Sequence, residues 1–435
     1  MIGLHFLRGP SMNYRFSIYL LLFALCCTPQ PTISASPLST LSQDEIQRWR
    51  EDIDFLASEL EKHHINLYHQ VSADEFKSHL ADIKQNLGQM NRHELMVALM
   101  TAVNLVGDGH TQLAYWGGEF HLFPIRLRFF AEDLRVISTT PQHQQLLGAK
   151  LVAVNGKPVA EVIQHLSPMA PTVENTHSLK QSLATIIKVG EVLVGSKLAD
   201  DPLRGEYIFE LPDGEQQSKI LQAITLEEFR SQVTTGYSIN YPGSFTLKET
   251  TNGLEFYIDK AFATAYLQFN AYPAYADMRT FAESIQQHLQ TEQIRHLIID
   301  LRQNGGGDFF IGLLLAWALN LVDNLDWNHG IYTLIGRQTF SAAVSNAAQF
   351  RQILNAKLVG EPTGGNPYGY QDMGTFYLPH SNWPVTYSKR LFRFQDQFSP
   401  GLQPDVLIEY DWASWQKGID PQLNWIIDDI NAHRE

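Results

Sequence analysis

The chain has 435 residues, with 32 basic and 46 acidic side chains and a formal net charge of −14 at pH 7. This length is too great for one small core and suits two or three domains. The acidic balance argues against nucleic acids and anionic membrane surfaces as partners, because both are negatively charged.

The N-terminus has the pattern of a secretory signal peptide. An apolar run over residues 16–27 follows Arg15 and precedes the small residues 34–36. This run is too short to span a membrane as a helix. We therefore predict a signal peptide over residues 1–35 and an exported protein, either periplasmic or secreted, without a stable membrane span.

Both cysteines, Cys26 and Cys27, lie inside this segment. Cleavage after Ala35 would leave a mature chain that has no disulfide, thiolate nucleophile or cysteine-bound zinc. Cleavage before a cysteine, as in lipoproteins, is the alternative. It would place Leu25 or Cys26 where Gly, Ala or Ser is normally needed, so we disfavour it.

Residues 36–119 predict a helical N-terminal domain. Apolar residues recur at helical spacing, and Ser72 and Asn91 are suitable caps. A cluster of His63, His64 and His69 lacks the spacing and the intervening glutamate of a zinc helix, so it predicts a solvated helix end rather than a metal site.

The region that follows, residues 120–243, predicts a β-rich domain. Short alternating strands such as residues 125–130 and 134–137 are followed by a hairpin signal at Asn155-Gly156. Glu174-Asn175 and the helix after it read as the join between this domain and the C-terminal domain, residues 244–435.

In the C-terminal domain, residues 294–302 predict a buried strand that runs into three glycines, residues 305–307. An apolar helix over residues 309–322 follows, with Asp308 as its cap. Adjacent glycines allow backbone N–H groups to converge on one point. The spacing lacks the lysine and the pattern of nucleotide-binding loops, so an oxyanion hole is the functional interpretation and a plain tight turn the alternative.

Ser341 lies between a predicted strand, residues 330–336, and a predicted helix, residues 342–348. A hydroxyl at a helix N-terminus lies where the free N–H groups and the dipole favour developing negative charge. Helix capping is the competing role for a serine there. Val344 stands where a capping box would place Glu or Gln, which argues against it.

Five segments in this order resemble motifs of the tail-specific (C-terminal-processing) and tricorn-core serine peptidases: residues 297–307, 339–343, 359–365, 378–381 and 404–406. Upstream, Gly107-Asp108-Gly109-His110-Thr111 resembles the histidine motif of the tricorn-like branch. The resemblance implies an α/β fold with a crotonase-like (ClpP-type) spiral catalytic domain and an inserted PDZ-like domain that accepts an extended peptide. It implies no cofactor and no metal.

The resemblance also implies particular roles. Ser341 would be the nucleophile, and the amides of Ala342 and of Gly305 or Gly306 would form the oxyanion hole. Asn366 stands where the tail-specific branch has its catalytic lysine, and an asparagine cannot accept a proton. His110 is therefore the expected base.

The acid that orients His110 is left open by the sequence. The family's acidic position falls on Phe398, so Asp396 is the expected orienting acid, through a shifted loop. Asp108 is close in sequence but has the spacing to bond backbone instead. His380 is a further candidate base, at a variable position of the family's loop, and we expect it to have no catalytic role.

Together these patterns predict a serine endopeptidase that cleaves peptides or unfolded protein tails. An inactive peptide-binding protein on the same scaffold and an esterase with the same nucleophile are the alternatives. Because His110 and Ser341 belong to different predicted domains, we expect a loose contact between them, or a partly closed groove, in the resting protein. The natural substrate, the signal cleavage position and the oligomeric state are not given by the sequence.

Overall fold

The computed structural model describes residues 38–237 and 245–433. The predicted signal peptide and both cysteines lie outside these residues. Within them, no helix is long and apolar enough to cross a bilayer. The fold is a mixed α/β fold with three sheets.

The first part of the chain is helical, as the apolar spacing predicts. Ser72 and Asn91 cap the second and third helices, which confirms both caps. The chain then enters a short strand that pairs with the C-terminal part of the molecule. The elements are α1 (Gln43–His63), α2 (Ala73–Asn86), α3 (Arg92–Asn104) and β1 (Gln112–Leu113).

The middle of the chain combines a twisted antiparallel sheet with four short helices. Asn155 and Gly156 both have positive φ and connect two paired strands, which confirms the predicted hairpin turn. The elements are β2 (Ile125–Phe130), β3 (Asp133–Thr139), β4 (Lys150–Val154), β5 (Lys157–Pro158), α4 (Val159–Leu166), α5 (Thr176–Ile186), α6 (Gly190–Gly195), β6 (Arg204–Glu210), β7 (Gln216–Gln222), α7 (Leu226–Gln232) and β8 (Thr235–Gly236).

The C-terminal part holds a seven-stranded sheet and a long hairpin. Its elements are β9 (Thr246–Thr251), β10 (Leu254–Asp259), β11 (Thr264–Phe269), α8 (Tyr275–Thr291), β12 (His296–Asp300), α9 (Phe309–Leu319), β13 (Ile331–Ile335), α10 (Ala342–Ile353), β14 (Lys357–Gly360), β15 (Tyr368–Tyr377), β16 (Pro384–Arg393), β17 (Val406–Leu407), α11 (Trp412–Trp415) and α12 (Pro421–Ala432). The strand and helix predicted on each side of the glycines and of Ser341 are all present.

The seven-stranded sheet has the order β17-β14-β13-β12-β11-β10-β9 and is parallel from β11 to β17. Alternate residues of β12 face opposite layers: Leu297 and Ile299 pack with α8, α9 and α10, whereas Ile298 packs with α12. Every residue of β12 is buried, as expected for a parallel strand covered on both faces. Because β12 and β13 are parallel, their carboxyl ends lie at the same end of the sheet. The glycine turn and the turn that carries Ser341 therefore start side by side.

A three-stranded sheet of order β1-β16-β15 joins the segment after the N-terminal helices to the C-terminal hairpin. Gln112 pairs with Thr386, and Leu113 pairs with Val385. The turn that carries His110 lies immediately before β1, so this pairing holds the turn against the C-terminal hairpin.

Candidate active site

Ser341 adopts a backbone conformation that non-glycine residues rarely take, with φ 52° and ψ −126°. It precedes α10, but its hydroxyl makes no capping hydrogen bond. A non-glycine residue at positive φ costs of the order of 1–3 kcal/mol and is retained only where its surroundings fix it. The hydroxyl is thus held out of the cap and free for another use.

The glycine turn after β12 crosses the start of α10 at close range. A Cβ on Gly306, whose φ is 111°, would lie 2.6 Å from Cβ of Ser341 and 3.2 Å from N of Ala342. Phe340 N–H donates to Asn304 O at 3.1 Å and holds the two turns together. Only glycine fits at this crossing.

The N–H groups of these turns differ in availability. The Gly306 N–H donates to Oδ1 of Asn304 at 2.9 Å, so it is already used. For the N–H groups of Gly305, Gly307 and Ala342, no acceptor is found within residues 38–237 and 245–433. Unbonded amides beside Ser341 give the site donors for a negatively charged oxygen.

His110 is buried next to this turn. Its ring stacks on Phe340 with centroids 5.0 Å apart. Nδ1 lies 3.3 Å from Oε1 of Glu174, and both side chains are only 4% exposed. This is an ion-pair distance, although the two groups are not aligned as a hydrogen bond. A carboxylate this close to Nδ1 can orient the imidazole ring.

Within the described chain, neither ring nitrogen of His110 makes a hydrogen bond, so the Ser341 hydroxyl is not bonded to it. Both residues nevertheless line one cavity of about 870 Å³, together with the glycine turn and Ala342. The aromatic side chains in its wall are Phe309, Phe310, Phe340 and Phe392.

Glu174 is held from several directions. Its Oε2 accepts the Asn366 N–H at 2.6 Å, and its carbonyl accepts from the Asn366 side chain at 3.2 Å. Its own N–H donates to Oγ of Ser178 at 3.0 Å. Asn366 also accepts from Gly401 N at 2.8 Å, so the residue at the lysine position secures the carboxylate that faces His110.

The sequence pattern does not identify Glu174 as a site residue, because it indicates only that Glu174-Asn175 lies at the junction between two domains. Asp396, the acid that we expected there, lies exposed in the loop at residues 394–400. Among the residues that the structure describes, none forms a hydrogen bond or ion pair with the Asp396 side chain. Phe398, at the family's acidic position, is 63% exposed.

His380 lies away from this cavity. Its Nε2 contacts Oε2 of Glu51 at 2.7 Å, and its N–H donates to Oδ1 of Asp52 at 2.9 Å, so it is bound to α1. It lines a separate cavity of about 550 Å³ beside Trp49. In the described residues, no group of three or more His, Cys, Asp or Glu side chains is arranged to hold a metal ion.

Asp108 fixes the turn that carries His110. Its Oδ1 accepts the His110 N–H at 3.1 Å and the Ser388 hydroxyl at 2.7 Å. Its Oδ2 accepts from Thr111 Oγ1 at 3.0 Å and lies 2.9 Å from Nε2 of His64. Asp108 therefore bonds the backbone of this turn, as its spacing indicated, and not the imidazole of His110.

The tautomer of His64 follows from its partners. Nδ1 of His64 accepts the Asn66 N–H at 3.0 Å, so Nε2 carries the hydrogen that Asp108 accepts. Burial alone would raise the pKa of Asp108, but hydrogen bonds from His64 and Ser388 outweigh it and hold this pKa below its usual value. Asp108 is thus a buried anion at neutral pH.

Asp108→Asn should lower the free energy of unfolding by about 1–3 kcal/mol at pH 7, because an amide places its N–H₂ group against donors. A lowered native pKa stabilises the fold above the unfolded pKa, and this contribution is lost as the pH falls below about 4. The difference between variant and wild type should therefore shrink in acid. Urea unfolding at pH 7 and at a pH below about 4 measures this difference.

Asp396→Asn is the matched control for this substitution, because the Asp396 side chain is exposed. It should leave the free energy of unfolding unchanged at both pH values. An equal difference between Asp108→Asn and wild type at neutral and acidic pH would contradict the assigned charge state.

The described fold matches solved structures of CPAF. Mature CPAF is matched with a TM-score of 0.65 and 12% identity, over 90% of this chain and 99% of that chain. Mature CPAF complexed with lactacystin is matched with a TM-score of 0.62 and 12% identity, over 89% and 99% of the two chains. This chain has the fold of mature CPAF.

Other matches to solved structures are weaker. The photosystem II D1 C-terminal processing protease gives a TM-score of 0.40 and 14% identity, over 85% of this chain and 94% of that one. No family model matches the sequence, and no curated protein is similar enough to count as a relative.

Proposed function

We propose that this protein is an exported serine endopeptidase of the tail-specific and tricorn-core type, which cleaves peptides or unfolded protein tails. The observation that carries the proposal is the strained, uncapped Ser341 at the start of α10, in one cavity with His110 and with unbonded backbone amides. A strained serine between a strand and a helix is a conformation that presents a nucleophile.

In the proposed mechanism, Ser341 Oγ attacks the peptide carbonyl and His110 accepts its proton. The carbonyl oxygen becomes an oxyanion that the Ala342 N–H and a glycine-turn N–H stabilise. We assign the second donor to Gly305 or Gly307, because the Gly306 N–H already bonds Asn304. Gly306 instead provides the space that lets the two turns meet.

Glu174 would orient the imidazole of His110 and stabilise the positive charge that it gains, as the third member of a triad does. This replaces Asp396 in the proposal, since Glu174 is the carboxylate beside Nδ1. His110 would then return the proton to the leaving amine. The missing lysine and the displaced acid are the reasons to consider an inactive peptide-binding protein, and Glu174 supplies a candidate for the displaced acid.

His110 must approach the hydroxyl of Ser341 for this chemistry, since the two are not bonded in the described structure. We propose that peptide binding brings them together. Catalytic contacts are often long without substrate and tighten when it binds. The predicted crotonase-like spiral in residues 244–435 and the PDZ-like domain in residues 120–243 remain part of this proposal, as does export through the signal peptide.

A fluorophosphonate probe tests the proposal directly, because it reacts with activated serines. We expect the purified protein to take up one label, and mass spectrometry of its peptides to place that label on Ser341. Denatured protein is the control and should not react, since the hydroxyl then has no base. Labelling elsewhere, or none in folded protein, would overturn the proposed nucleophile.

A further inference from the structure

Helix α9 exposes large apolar side chains along one face. Phe310 is 64% exposed and Trp317 73%, and Leu321, just beyond the helix, is 62% exposed. Their spacing of seven and four residues places them on one face. The opposite face, with Ile311, Leu315 and Leu319, packs into the core beside α8 and α10. We call Phe310, Trp317 and Leu321 the α9 face.

The helix has no charged residue to keep this face in water. Single exposed apolar side chains are ordinary, but an aligned row of large ones on a soluble protein marks an interaction surface. The sequence predicted this helix as apolar, and its packing accounts only for the buried half.

The α9 face is continuous with the proposed catalytic cavity. Phe310 belongs to both, and its ring stacks on Phe309 at 4.2 Å. Phe309 in turn contacts Phe392 in the cavity wall, with centroids 5.5 Å apart. An apolar surface therefore leads out of the cavity and along the helix.

We propose that the α9 face binds an apolar segment of the polypeptide substrate on one side of the cleaved bond. This inference rests on the proposed function. A chain that lies across Ser341 must leave the cavity, and Phe310 is one of the lining residues at which the cavity wall becomes open surface. A helix of eleven residues is about 16 Å long, which is enough to contact about five residues of extended chain.

Two other occupants fit less well. An anionic membrane surface would be repelled by a protein of net charge −14. A second copy of this chain carries the same charge, and its binding over Phe310 would cover the mouth of the cavity. A substrate chain must enter the cavity mouth to reach Ser341, so binding over Phe310 is compatible with its cleavage, and both alternatives are outcomes of the test below.

The test compares quenched fluorescent peptides that share one cleavable core, chosen as the best-cleaved sequence of a mixed peptide library. One peptide is the core alone. Two longer peptides extend it with a leucine-rich or a serine-rich segment, placed on either side in separate versions. We expect wild-type protein to cleave one leucine-extended version with a KM about tenfold or more below that of its serine-extended counterpart.

The double variant Trp317→Gln, Leu321→Gln should remove this preference. We expect the KM for the leucine-extended peptide to rise about tenfold or more, with kcat unchanged, because these side chains bind substrate and transition state alike. Cleavage of the core and fluorophosphonate labelling should not change. Leu247→Gln is the matched control, since Leu247 is 49% exposed on β9 at the far edge of the sheet.

Equal cleavage of the leucine-extended and serine-extended peptides by wild-type protein would overturn the inference, as would an unchanged preference in the double variant. A wild-type dimer that the double variant converts to monomer would assign the α9 face to a second copy. Binding to phosphatidylcholine–phosphatidylserine vesicles that the double variant loses would assign it to a membrane. If the double variant does not fold, Trp317→Ala alone gives the same comparison.

Failure of the proposed function would be visible separately, as wild-type protein that neither takes the label nor cleaves the core. Fluorescence anisotropy of an uncleaved leucine-rich peptide then tests the α9 face alone. Weaker binding by the double variant would support this surface as an apolar-peptide site, and equal binding would overturn it.

Discussion

Ser341→Ala should abolish peptide hydrolysis and leave the protein folded. The hydroxyl makes no capping bond, so its removal does not cost α10 a cap. Alanine at φ 52° keeps the backbone strain of the serine, so the free energy of unfolding should change by less than about 1 kcal/mol. Peptide assays, circular dichroism and urea unfolding measure these quantities.

Ser341→Gly is the matched variant for this strain. Glycine adopts positive φ at little cost, so this variant should be about 1 kcal/mol more stable than Ser341→Ala while equally inactive. Stability gained as activity is lost is the behaviour of a residue held in a strained conformation for function. Normal turnover by a folded Ser341→Ala protein would assign the nucleophile elsewhere.

The sequence predicted the local framework of the site well. The glycine turn and the start of α10 are each bounded by a buried strand and an apolar helix, and periodicity reports both. Asp308 caps α9 because its side chain accepts from Phe310 N–H, a contact set by spacing alone. Such features depend on a few neighbouring residues, so one sequence is enough to find them.

Glu174 could not be found in this way. It reaches His110 only because the chain between them folds back, and no local pattern records that contact. The local feature closest to Glu174 is Asn175, which caps α5. In the structure its side chain donates to Gly364 O at 2.9 Å. The family's motif spacing places the acid at Phe398, and Asp396 was the expected substitute through a shifted loop, but motif spacing does not show which loop turns inward.

Glu174 also alters how the middle of the chain must be tested. It lies within the predicted insert, residues 120–243, so deleting that segment would remove the proposed orienting acid as well as any peptide-binding groove. The insert is also bonded to the turns beside Ser341. Arg128 Nη2 donates to Oε2 of Glu361 at 3.0 Å, and Arg337 Nη1 donates to Phe129 O at 3.0 Å.

These bonds relate the insert to the proposed movement of His110. Arg337 precedes Ser341 on one chain segment, and Glu361 lies on the segment that leads to Asn366, which secures Glu174. A shift of β2 would therefore act on both sides of the proposed triad. Point substitutions that leave Glu174 in place separate this coupling from loss of the acid.

His110→Ala should lower kcat/KM by about 10,000-fold or more, because it removes the imidazole that is proposed to accept the Ser341 proton. Glu174→Gln should lower kcat by about 100- to 10,000-fold. An amide keeps the size of the side chain, but it cannot stabilise the imidazolium that forms during attack. Initial rates of peptide cleavage over a range of substrate concentrations give kcat and KM for both variants.

Asn366→Ala and Asp396→Asn distinguish this arrangement from the alternatives. Asn366→Ala keeps the backbone N–H that donates to Oε2 of Glu174, so it should cost less than Glu174→Gln. Asp396 is exposed, and Asp396→Asn should leave kcat unchanged. The double variant His110→Ala, Glu174→Gln should be scarcely less active than His110→Ala alone, because the carboxylate acts through the imidazole. Additive losses, or a larger loss from Asp396→Asn than from Glu174→Gln, would return the orienting role to another acid.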